Sequence, residues 1–553
     1  MGEKLSRVEQ DIFEVWNEYM PNTAFLQGVE ECAGKFFVPT DNNIRSLLSK
    51  IQVLKKKAEN DLQRKLLRCL ETAIKYEEPY TPLEDIIWSF FGHLVKEGIH
   101  AEHLSSLSLS VSRALQTLKA RLGGKDWPVE VKVLTINQCN GLLGILKTIL
   151  EETKDTGLKE AIRRLEDVIV DYRQTFFVEG VEEGDFEEVF PILEEKGGDI
   201  GRRGIYPRIL RDMYDYPETA DEIEKKALAW LKEEMPVLEE VTEKIAKLFG
   251  IEASVESVDE EITKKESIEK SKVIEFILDI REKLRKVIEK RLVRINPRYE
   301  TKVVETPRYL LNLISTAAMT DFNTLTDHPF NMFFVTTDPK RSPPTSGPDL
   351  LQTLVHEEYG HCVNFSNSAT HFAAEPTLLE LLETYLHYPI SDGISFFREY
   401  EFMMLLKELV SKASPTEEEE AFLKTLKSLG DLDKFVLESE FILMKWRIVR
   451  FLRAVGDVRI NMGKQSIAEF VNWAHERTGL SKKMIYNQII IFQTRAGYAP
   501  CYSIAGEALR KIQAAAIENG KNVVDFNTYA SSLGFPTRTI FEEKLEAYGR
   551  STE

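Results

Sequence analysis

The chain has 553 residues, 43% of them hydrophobic and 29% charged, which is typical of a globular protein with a sizeable core. With 90 acidic and 72 basic residues its formal net charge is −18, which disfavours a protein that grips nucleic acid through a basic surface. We find no apolar run of the roughly 20 residues that cross a bilayer and no apolar signal region, so we expect a cytoplasmic protein that binds neither nucleic acid nor membrane.

Apolar residues at helical spacing dominate the first half of the sequence. Throughout residues 1–175 they recur every three or four positions, which predicts an N-terminal helical lobe. Residues 180–207 are rich in glycine and acidic side chains and lack periodicity, which indicates a connection across the surface. Two further helical stretches, 219–248 and 268–292, belong to a connecting region that we place at residues 176–300.

The third predicted region, residues 301–553, contains the first clear strand pattern. The run FFVTT at 333–337 predicts a short strand, and the loop DPKRSPPTSGPD after it holds four prolines. Pro348 and Asp349 suit the first turn of the next helix. Helical patterns then continue to the C-terminus, and Thr416, followed by four glutamates, predicts a capped helix start.

Residues 354–364 read LVHEEYGHCVN and contain the strongest chemical signal. Two histidines on one helix, with a glutamate directly after the first, are typical of zinc hydrolases, in which neutral imidazoles bind the metal and the carboxylate activates water. His356 and His361 are five positions apart, however, and five residues of a regular α-helix rotate the second ring by about 140°. We therefore predict a one-residue bulge of π-helical type, which Gly360 would tolerate. The alternative is a pair of ordinary histidines near a helix end.

A catalytic zinc site needs a third protein ligand besides the two histidines. Three glutamates follow at positions 375, 380 and 383. Glu375 directly precedes Pro376, which predicts that it lies at the start of a helix with a fixed position. Glu380 stays open as an alternative ligand. The simpler interpretation of Glu380 and Glu383 is that they are charged side chains on the solvent-exposed face of a helix.

The sequence around the motif carries a resemblance to known peptidases. HEEYGH is similar to the HExxGH signature of the dipeptidyl peptidase III family and to the HExYPGHH signature of a large prokaryotic family of uncharacterised metallopeptidases. FFVTTDPKRSPPTSGPDLLQTLVHEEYGH resembles the strand, DPxxRP loop and TLxxHE helix of that second family, although it lacks the family's proline and final histidine. The family is related to the carboxypeptidase Taq and thimet oligopeptidase families. The resemblance therefore implies a gluzincin, a zinc peptidase with a glutamate ligand.

Other segments of the chain also resemble motifs of these peptidase families. His328-Pro329-Phe330 resembles the HPF element of the carboxypeptidases, and GYAPCY at 497–502 is similar to their GYFPSY and to the GYxxxY of the oligopeptidases. The resemblance implies that Tyr498 and Tyr502 face the metal, where a phenol can donate a hydrogen bond to an oxyanion. The arginine-bearing DxRxT element of the carboxypeptidases is absent, which weakens a purely carboxypeptidase reading.

Carried over by position, the resemblance implies a complete site. Zinc, or cobalt or manganese in its place, would be bound by His356, His361 and Glu375, with Glu357 as the general base. It implies a two-lobed, mainly α gluzincin fold with a small β-sheet beside the metal and a deep cleft. Arg495 is a candidate for capturing a substrate carboxylate, and His328 is a weaker candidate for contacting substrate.

We therefore expect a zinc-dependent metallopeptidase that hydrolyses short peptides by metal-activated water. The strand at 333–337 could add main-chain hydrogen bonds to an extended peptide if it lies at a sheet edge. One alternative is a metallocarboxypeptidase in which Arg495 or another cation anchors the free C-terminus. Another is a helical binding or scaffold protein with a degenerate metal site. Besides the peptide we expect no macromolecular partner, and a homodimer stays an open option.

Overall fold

Helices dominate the part of the chain that the structure describes, and one small sheet accompanies them there, so the predicted mainly α fold is confirmed. The computed structural model describes residues 6–310, 314, 317–337 and 344–551. Its N-terminal α-helices are α1 (Arg7–Tyr19), α2 (Pro21–Leu26), α3 (Asp41–Lys55), α4 (Asp61–Lys75), α5 (Thr81–Glu97), α6 (Ala101–Leu122), α7 (Val129–Glu152), α8 (Thr156–Thr175), α9 (Phe186–Lys196), α10 (Tyr206–Met213), α11 (Ala220–Phe249), α12 (Val255–Lys265) and α13 (Val273–Arg291).

The second half of the chain carries the remaining helices and two π-helical segments. The α-helices are α14 (Gly347–Leu354), α15 (Val363–Ala369), α16 (Leu378–Leu381), α17 (Tyr388–Ser411), α18 (Glu417–Lys427), α19 (Leu432–Asn461), α20 (Ile467–Thr478), α21 (Lys482–Phe492), α22 (Gly506–Glu518), α23 (Val523–Ala530) and α24 (Arg538–Arg550). The π-helical segments are Val355–Cys362 and Cys501–Ala505. Thr416 caps α18 through a capping box with Glu419, as its sequence predicts.

Helix α7 is both long and apolar. It is the one described helix that is long and apolar enough to cross a membrane by length and composition, a feature that our inspection of the sequence missed. More than half of its apolar stretch, 56%, is buried inside the protein. Its side chains Leu142, Ile145 and Ile149 pack in the largest hydrophobic cluster, which is the environment of an ordinary core helix.

The largest hydrophobic cluster draws side chains from all three regions that the sequence predicts. Leu83 comes from residues 1–175, Leu238 from 176–300 and Phe451 from 301–553. The long helices α11 and α19 pack against each other within it. The residue boundaries between the three regions stay predictions.

The sheet has three strands, β1 (Thr301–Glu305), β2 (Ala317–Phe322) and β3 (Phe330–Val335), in the order β1-β3-β2. Strand β3 pairs in parallel with β1 and antiparallel with β2. The strand predicted at 333–337 therefore exists, but it begins three residues earlier and lies at the centre of the sheet. The expectation that it offers a free edge is wrong, because both of its edges are paired. Strand β2 is an edge strand among the described residues, and it packs against the first π-helical segment.

Candidate functional site

The HEEYGH motif lies in the π-helical segment Val355–Cys362, which continues α14 and leads into α15. The one-residue bulge predicted from the five-residue spacing is thus present. It turns both histidines to the same side: the rings of His356 and His361 lie 4.9 Å apart, and their Nε2 atoms are separated by 3.2 Å. Pro348 and Asp349 lie in the first turn of α14, as predicted, and Ser346 caps it.

Gly360 allows the π-helical segment to approach α17 closely. A Cβ atom at this position would lie 2.6 Å from the Cα of Ser395 and 2.4 Å from its Oγ. Contacts this short to a backbone atom are not tolerated, so only glycine fits between the two helices. The motif's glycine therefore sets the distance between the histidines and the helix that faces them.

We expect Gly360→Ala to lower the free energy of unfolding by about 1–3 kcal/mol or more, because one helix must move away from the other. Urea denaturation of the metal-free protein measures this. Gly144→Ala is the matched control, since it lies within α7 and a Cβ there has no neighbour within 4 Å. That control should gain about 0.5–1 kcal/mol from better helix propensity. Equal stability of Gly360→Ala and the wild type would contradict the packing argument.

Helix α17 presents a row of polar side chains to the two histidines. Ser391, Asp392 and Glu399 recur at spacings that keep them on neighbouring parts of one helix face. The Nδ1 of His356 lies 2.5 Å from Glu399 Oε1, and the Nδ1 of His361 lies 2.7 Å from Ser391 Oγ. A ring whose Nδ1–H donates to such a partner keeps the lone pair of Nε2 free, so both Nε2 lone pairs point into the same space.

Glu399 is itself held by an ion pair in the interior. Arg450 of α19 donates from Nη1 and Nη2 to the two carboxylate oxygens of Glu399, at 2.5 and 2.7 Å. Burial opposes ionisation of Glu399, but the charge of Arg450 and the contact with His356 outweigh it and lower the pKa of the carboxyl to about 2. The carboxylate is therefore ionised at neutral pH and fixes the orientation of the His356 ring.

Asp392 completes the cluster, and the sequence did not reveal it. Its Oδ1 lies 3.6 Å from His361 Nε2, and His356, His361 and Asp392 form a group of side chains that could hold a metal ion. Burial raises the pKa of Asp392 to about 6, against the opposing effects of His356, Tyr498 and Tyr502. Burial and the neighbouring His356 lower the pKa of His361 well below its usual value, so its ring is neutral near pH 7.

The glutamates favoured as third ligand lie elsewhere. Glu375 is exposed in the segment before α16, which begins only at Leu378. Glu380 closes a capping box with Thr377 and pairs with Lys544. The structure thus places Asp392 with the histidines and leaves both glutamates outside the cluster. The prediction of Glu375 as third ligand is corrected accordingly, because a residue of the facing helix, and not one of the following loop, reaches the two rings.

The donor atoms fit a zinc ion. Two nitrogen ligands at the usual zinc distance and tetrahedral angle lie about 3.3 Å apart, and the two Nε2 atoms are 3.2 Å apart. Two lone pairs that face each other at this distance repel unless a cation or a proton lies between them. Two imidazoles and one carboxylate also match the ligand types of catalytic zinc sites.

The two glutamates of HEEYGH have different environments. Glu357 follows His356 directly, and burial raises the pKa of its carboxyl, which His356 partly opposes. Glu358 points to the other side, where it is buried and pairs with Arg281 of α13 through Nε at 2.7 Å, while Tyr299 donates its hydroxyl at 3.2 Å. Glu358 therefore anchors the π-helical segment, and Glu357 is the carboxyl of the motif that is available for a catalytic role.

Tyr498 and Tyr502 come together beside the cluster. Their hydroxyl oxygens lie 3.1 Å apart, and both interact with Asp392. Tyr498 lies just before the second π-helical segment, and Tyr502 lies within that segment. Burial raises the pKa of both phenols, so they stay protonated hydrogen-bond donors at neutral pH.

The two substrate-binding candidates have other surroundings. Arg495 pairs with Glu84 at 2.7 Å and donates to the hydroxyl of Tyr388, so its charge is already neutralised within the protein. This pairing corrects the expectation of a guanidinium free for a substrate carboxylate. His328 is exposed, two residues before β3, and its contact with a substrate stays a prediction.

A different arginine faces the tyrosines without a carboxylate partner. Arg453 lies one turn after Arg450 on α19, 4.3 Å from the centroid of the Phe492 ring and 5.8 Å from that of Tyr502. Its Nη2 donates to Gln488, its Nε has no hydrogen-bond partner, and no ion pair joins it to a described residue. Burial lowers the pKa of Arg453 to about 10.

Comparisons with known proteins inform the fold. No protein-family model matches the sequence, and no curated protein does. Two solved structures are similar over nearly the whole chain. One is a "putative lipoprotein" from Colwellia psychrerythraea, with a TM-score of 0.61, 11% identity, and 99% of this chain and 100% of that chain covered. The other is a "putative lipoprotein of unknown function" from Shewanella oneidensis, with a TM-score of 0.65, 12% identity, and 97% and 98% covered. At these identities the similarity shows that the chain shares their fold.

Proposed function

We propose that the protein is a zinc-dependent metallopeptidase that hydrolyses short peptides, with Asp392 in place of the glutamate ligand that defines a gluzincin. The observation that carries this proposal is the convergence of His356, His361 and Asp392 on one point, reached through a π-helical bulge that glycine makes possible. Such a bulge costs regular helix hydrogen bonding and is most often found where function requires it. Glu357 lies next to the first ligand, as a general base of this reaction class must.

Each side chain of the site would have a separate role in the reaction. When bound by the three ligands, zinc supplies Lewis acidity toward water and a carbonyl oxygen. Glu357 would take a proton from the attacking water and return it to the leaving amine. Tyr498 and Tyr502, both protonated, would donate hydrogen bonds to the oxyanion that forms on the substrate carbonyl. Glu399 and Ser391 keep the two imidazoles in the tautomer that binds metal.

Strand β2 supplies a surface for an extended peptide. It is an edge strand among the described residues and packs against the π-helical segment, so its unpaired main-chain groups lie near the proposed reaction centre. An extended substrate can add to such an edge through main-chain hydrogen bonds, which recognise a peptide whatever its side chains. The proposal therefore assigns to β2 the role that the sequence suggested for the strand at 333–337.

Hydrolysis of a quenched fluorescent peptide library tests the proposal. The zinc-loaded wild type should cleave it, a chelator should stop the cleavage, and Glu357→Gln should lower kcat by at least about 10³-fold while zinc stays bound. Glu358→Gln is a less suitable control because Arg281 would lose its partner, so Glu375→Gln, an exposed change, serves instead. Equal activity of Glu357→Gln and wild type would contradict the assignment of the base.

Arg453 favours a second candidate function, that of a metallocarboxypeptidase. Arg453 is half-buried, and its Nε is buried without a hydrogen-bond partner. A guanidinium in such surroundings without a carboxylate partner is costly, and such groups are often kept to bind an anion. Its neighbour Tyr502 stacks beside His356, with the ring centroids 6.2 Å apart, so Arg453 lies close to the proposed reaction centre. The free C-terminal carboxylate of a peptide would pair with it in a bidentate manner.

Paired substrates separate the two functions. We expect Arg453→Gln to lower kcat/KM for a peptide with a free C-terminus by about 10- to 100-fold, chiefly through KM, because one charge-assisted pair is lost. Cleavage of the same peptide with an amidated C-terminus should change little. Arg495→Gln is the matched control and should leave the ratio of the two rates unchanged. Equal cleavage of free and amidated peptides by the wild type would eliminate the carboxypeptidase and leave the oligopeptidase.

The cytoplasmic location stays a prediction. The two proteins of similar fold are described as lipoproteins, which gives a membrane-attached location as the alternative. Fractionation of cells that express the full-length protein distinguishes the two: recovery in the soluble fraction supports the prediction, and recovery with membranes that detergent releases contradicts it.

A further inference from the structure

A second group of metal-binding side chains lies at the junction of α5 and α6, apart from the histidines of the proposed reaction centre. One donor atom each from Glu97, His100 and His103 lies within 4.8 Å of the others. Glu97 is the last residue of α5, His100 is the cap residue of α6, and His103 lies in the first turn of α6. Gly98, with a φ of 70°, makes the sharp turn that brings the three side chains together.

Glu97 and His103 already have nearly the spacing of two ligands on one ion. The Nδ1 of His103 lies 2.9 and 3.0 Å from the two carboxylate oxygens of Glu97. Two ligands of one zinc ion lie about 3.3 Å apart, so an ion can replace the proton between this pair after a small side-chain shift. The ring of His100 lies 4.0 Å from that of His103, measured between centroids. His100 is exposed, and its hydrogen bond from the main-chain N–H of His103 is long, at 3.4 Å, so its ring can turn toward the same ion.

The packing of the protein holds His103 in place. Its ring lies 6.4 Å from the ring of Phe25 and 6.5 Å from that of His93, both edge-on. Phe25 stacks on the buried His93 at 4.4 Å, and the main-chain N–H of Gly34 donates to His93 Nε2 at 2.8 Å. A ligand that is already fixed by its neighbours loses little conformational entropy when an ion binds.

The carboxylate of Glu97 has no lysine or arginine partner among the described residues. Its side chain is 19% exposed, and its ion-pair contact is with His103. The adjacent Lys96 instead pairs with Glu30 at 2.8 Å. A largely buried carboxylate beside two imidazoles favours a cation, and the net charge of −18 favours the approach of one.

We propose that Glu97, His100 and His103 form a second metal site, which binds zinc or another divalent transition-metal ion and joins the end of α5 to the start of α6. Imidazole ligands select transition metals over magnesium and calcium, which prefer oxygen ligands. His100 is exposed and must be ordered on binding, so this site should bind more weakly than the cluster around His356, and removal of excess metal should empty it. The inference uses no residue of that cluster and does not depend on the proposed peptidase activity.

Calorimetric titration of the metal-free, full-length protein with zinc chloride at pH 7.5 tests the inference. We expect a tighter and a weaker class of site, with about one ion in each. His361→Ala should remove the tighter class and keep the weaker one, so failure of one metal site is distinguishable from failure of the other. Excess zinc should also raise the melting temperature of His361→Ala by a few degrees, because the ion binds the folded state.

Variants made in the His361→Ala background locate the weaker site. His100→Gln, at an exposed position, and His103→Gln should each weaken zinc binding by about 10-fold or more, because each removes a ligand. His371→Asn is the matched control: His371 is exposed, belongs to neither group of ligands, and has a φ of 53°, which asparagine tolerates. It should leave the affinity unchanged. Absence of zinc binding to His361→Ala, or binding that both His100→Gln and His103→Gln leave unchanged, would overturn the proposal.

Discussion

Asp392→Asn should weaken zinc binding by on the order of a hundredfold or more, whereas Glu375→Gln should leave it unchanged. Asparagine keeps the size of the side chain but removes the negative charge that a zinc ligand supplies. Glu375 is exposed and separate from the histidine pair, so its charge has no role in binding. Competition with a chromogenic chelator, on metal-free protein at fixed pH, measures both affinities.

The same pair of variants distinguishes the two assignments of the third ligand. Loss of affinity in Glu375→Gln with retention in Asp392→Asn would contradict the structure and support the earlier sequence-based expectation. Thermal melting of the metal-free variants is the control, because an affinity change caused by unfolding would appear there as a lower melting temperature.

Arg450→Met should lower the free energy of unfolding by about 3–5 kcal/mol, because it leaves the Glu399 carboxylate buried without its cationic partner and with only the His356 ring beside it. Glu399 is 1% exposed, and Arg450 contacts both of its oxygens. Urea denaturation of the metal-free protein measures the loss. The double variant Arg450→Met with Glu399→Gln removes the isolated charge and should recover a large part of it.

A small effect would change the interpretation of this ion pair. If Arg450→Met cost less than about 1 kcal/mol, water or another group would have to solvate Glu399, and the ion pair would not be what fixes the His356 ring. In that case zinc affinity should also be insensitive to Arg450. Under our account it falls by about 10- to 100-fold, since partners of ligand histidines contribute that much.

Local sequence rules predicted the part of the site that is contiguous in the chain. The five-residue histidine spacing cannot close a site on a regular α-helix, so a π-helical bulge followed from geometry alone. The first turn of α14 followed from Pro348 and Asp349, and the cap of α18 followed from Thr416 and the glutamates after it. Each of these features depends on a few residues that are neighbours in the chain, so one sequence is enough to predict it.

Features that depend on packing between distant helices were not predictable in this way. Asp392 is 31 residues beyond His361 on a different helix, and nothing local shows that its carboxylate faces the rings. One signal was available: α17 carries Ser391, Asp392, Ser395 and Glu399 at helical spacing within an apolar sequence, which indicates a buried polar face. The different roles of Arg495 and Arg453 depend on whether an acidic side chain of another helix reaches each one, and only the structure shows that.

The sheet is a second feature that depends on contacts between distant parts of the chain. Its central strand was recognisable from aromatic and β-branched residues, but strand order is set by tertiary pairing, and β2 has a weak strand pattern, AAMTDF. The position of a strand at the edge or the centre cannot be read from its own sequence. We therefore propose the peptide-binding role for β2 and not for the central strand.

Metal analysis of the purified protein tests the central claim most directly. Plasma mass spectrometry of wild type and of His361→Ala, both prepared with zinc and freed of excess metal in the same way, gives the zinc content per chain. The account predicts about one zinc per chain in the wild type and nearly none in the variant. No bound transition metal in the wild type, even after zinc is supplied, would contradict it and leave the histidine pair as part of a binding or scaffold protein.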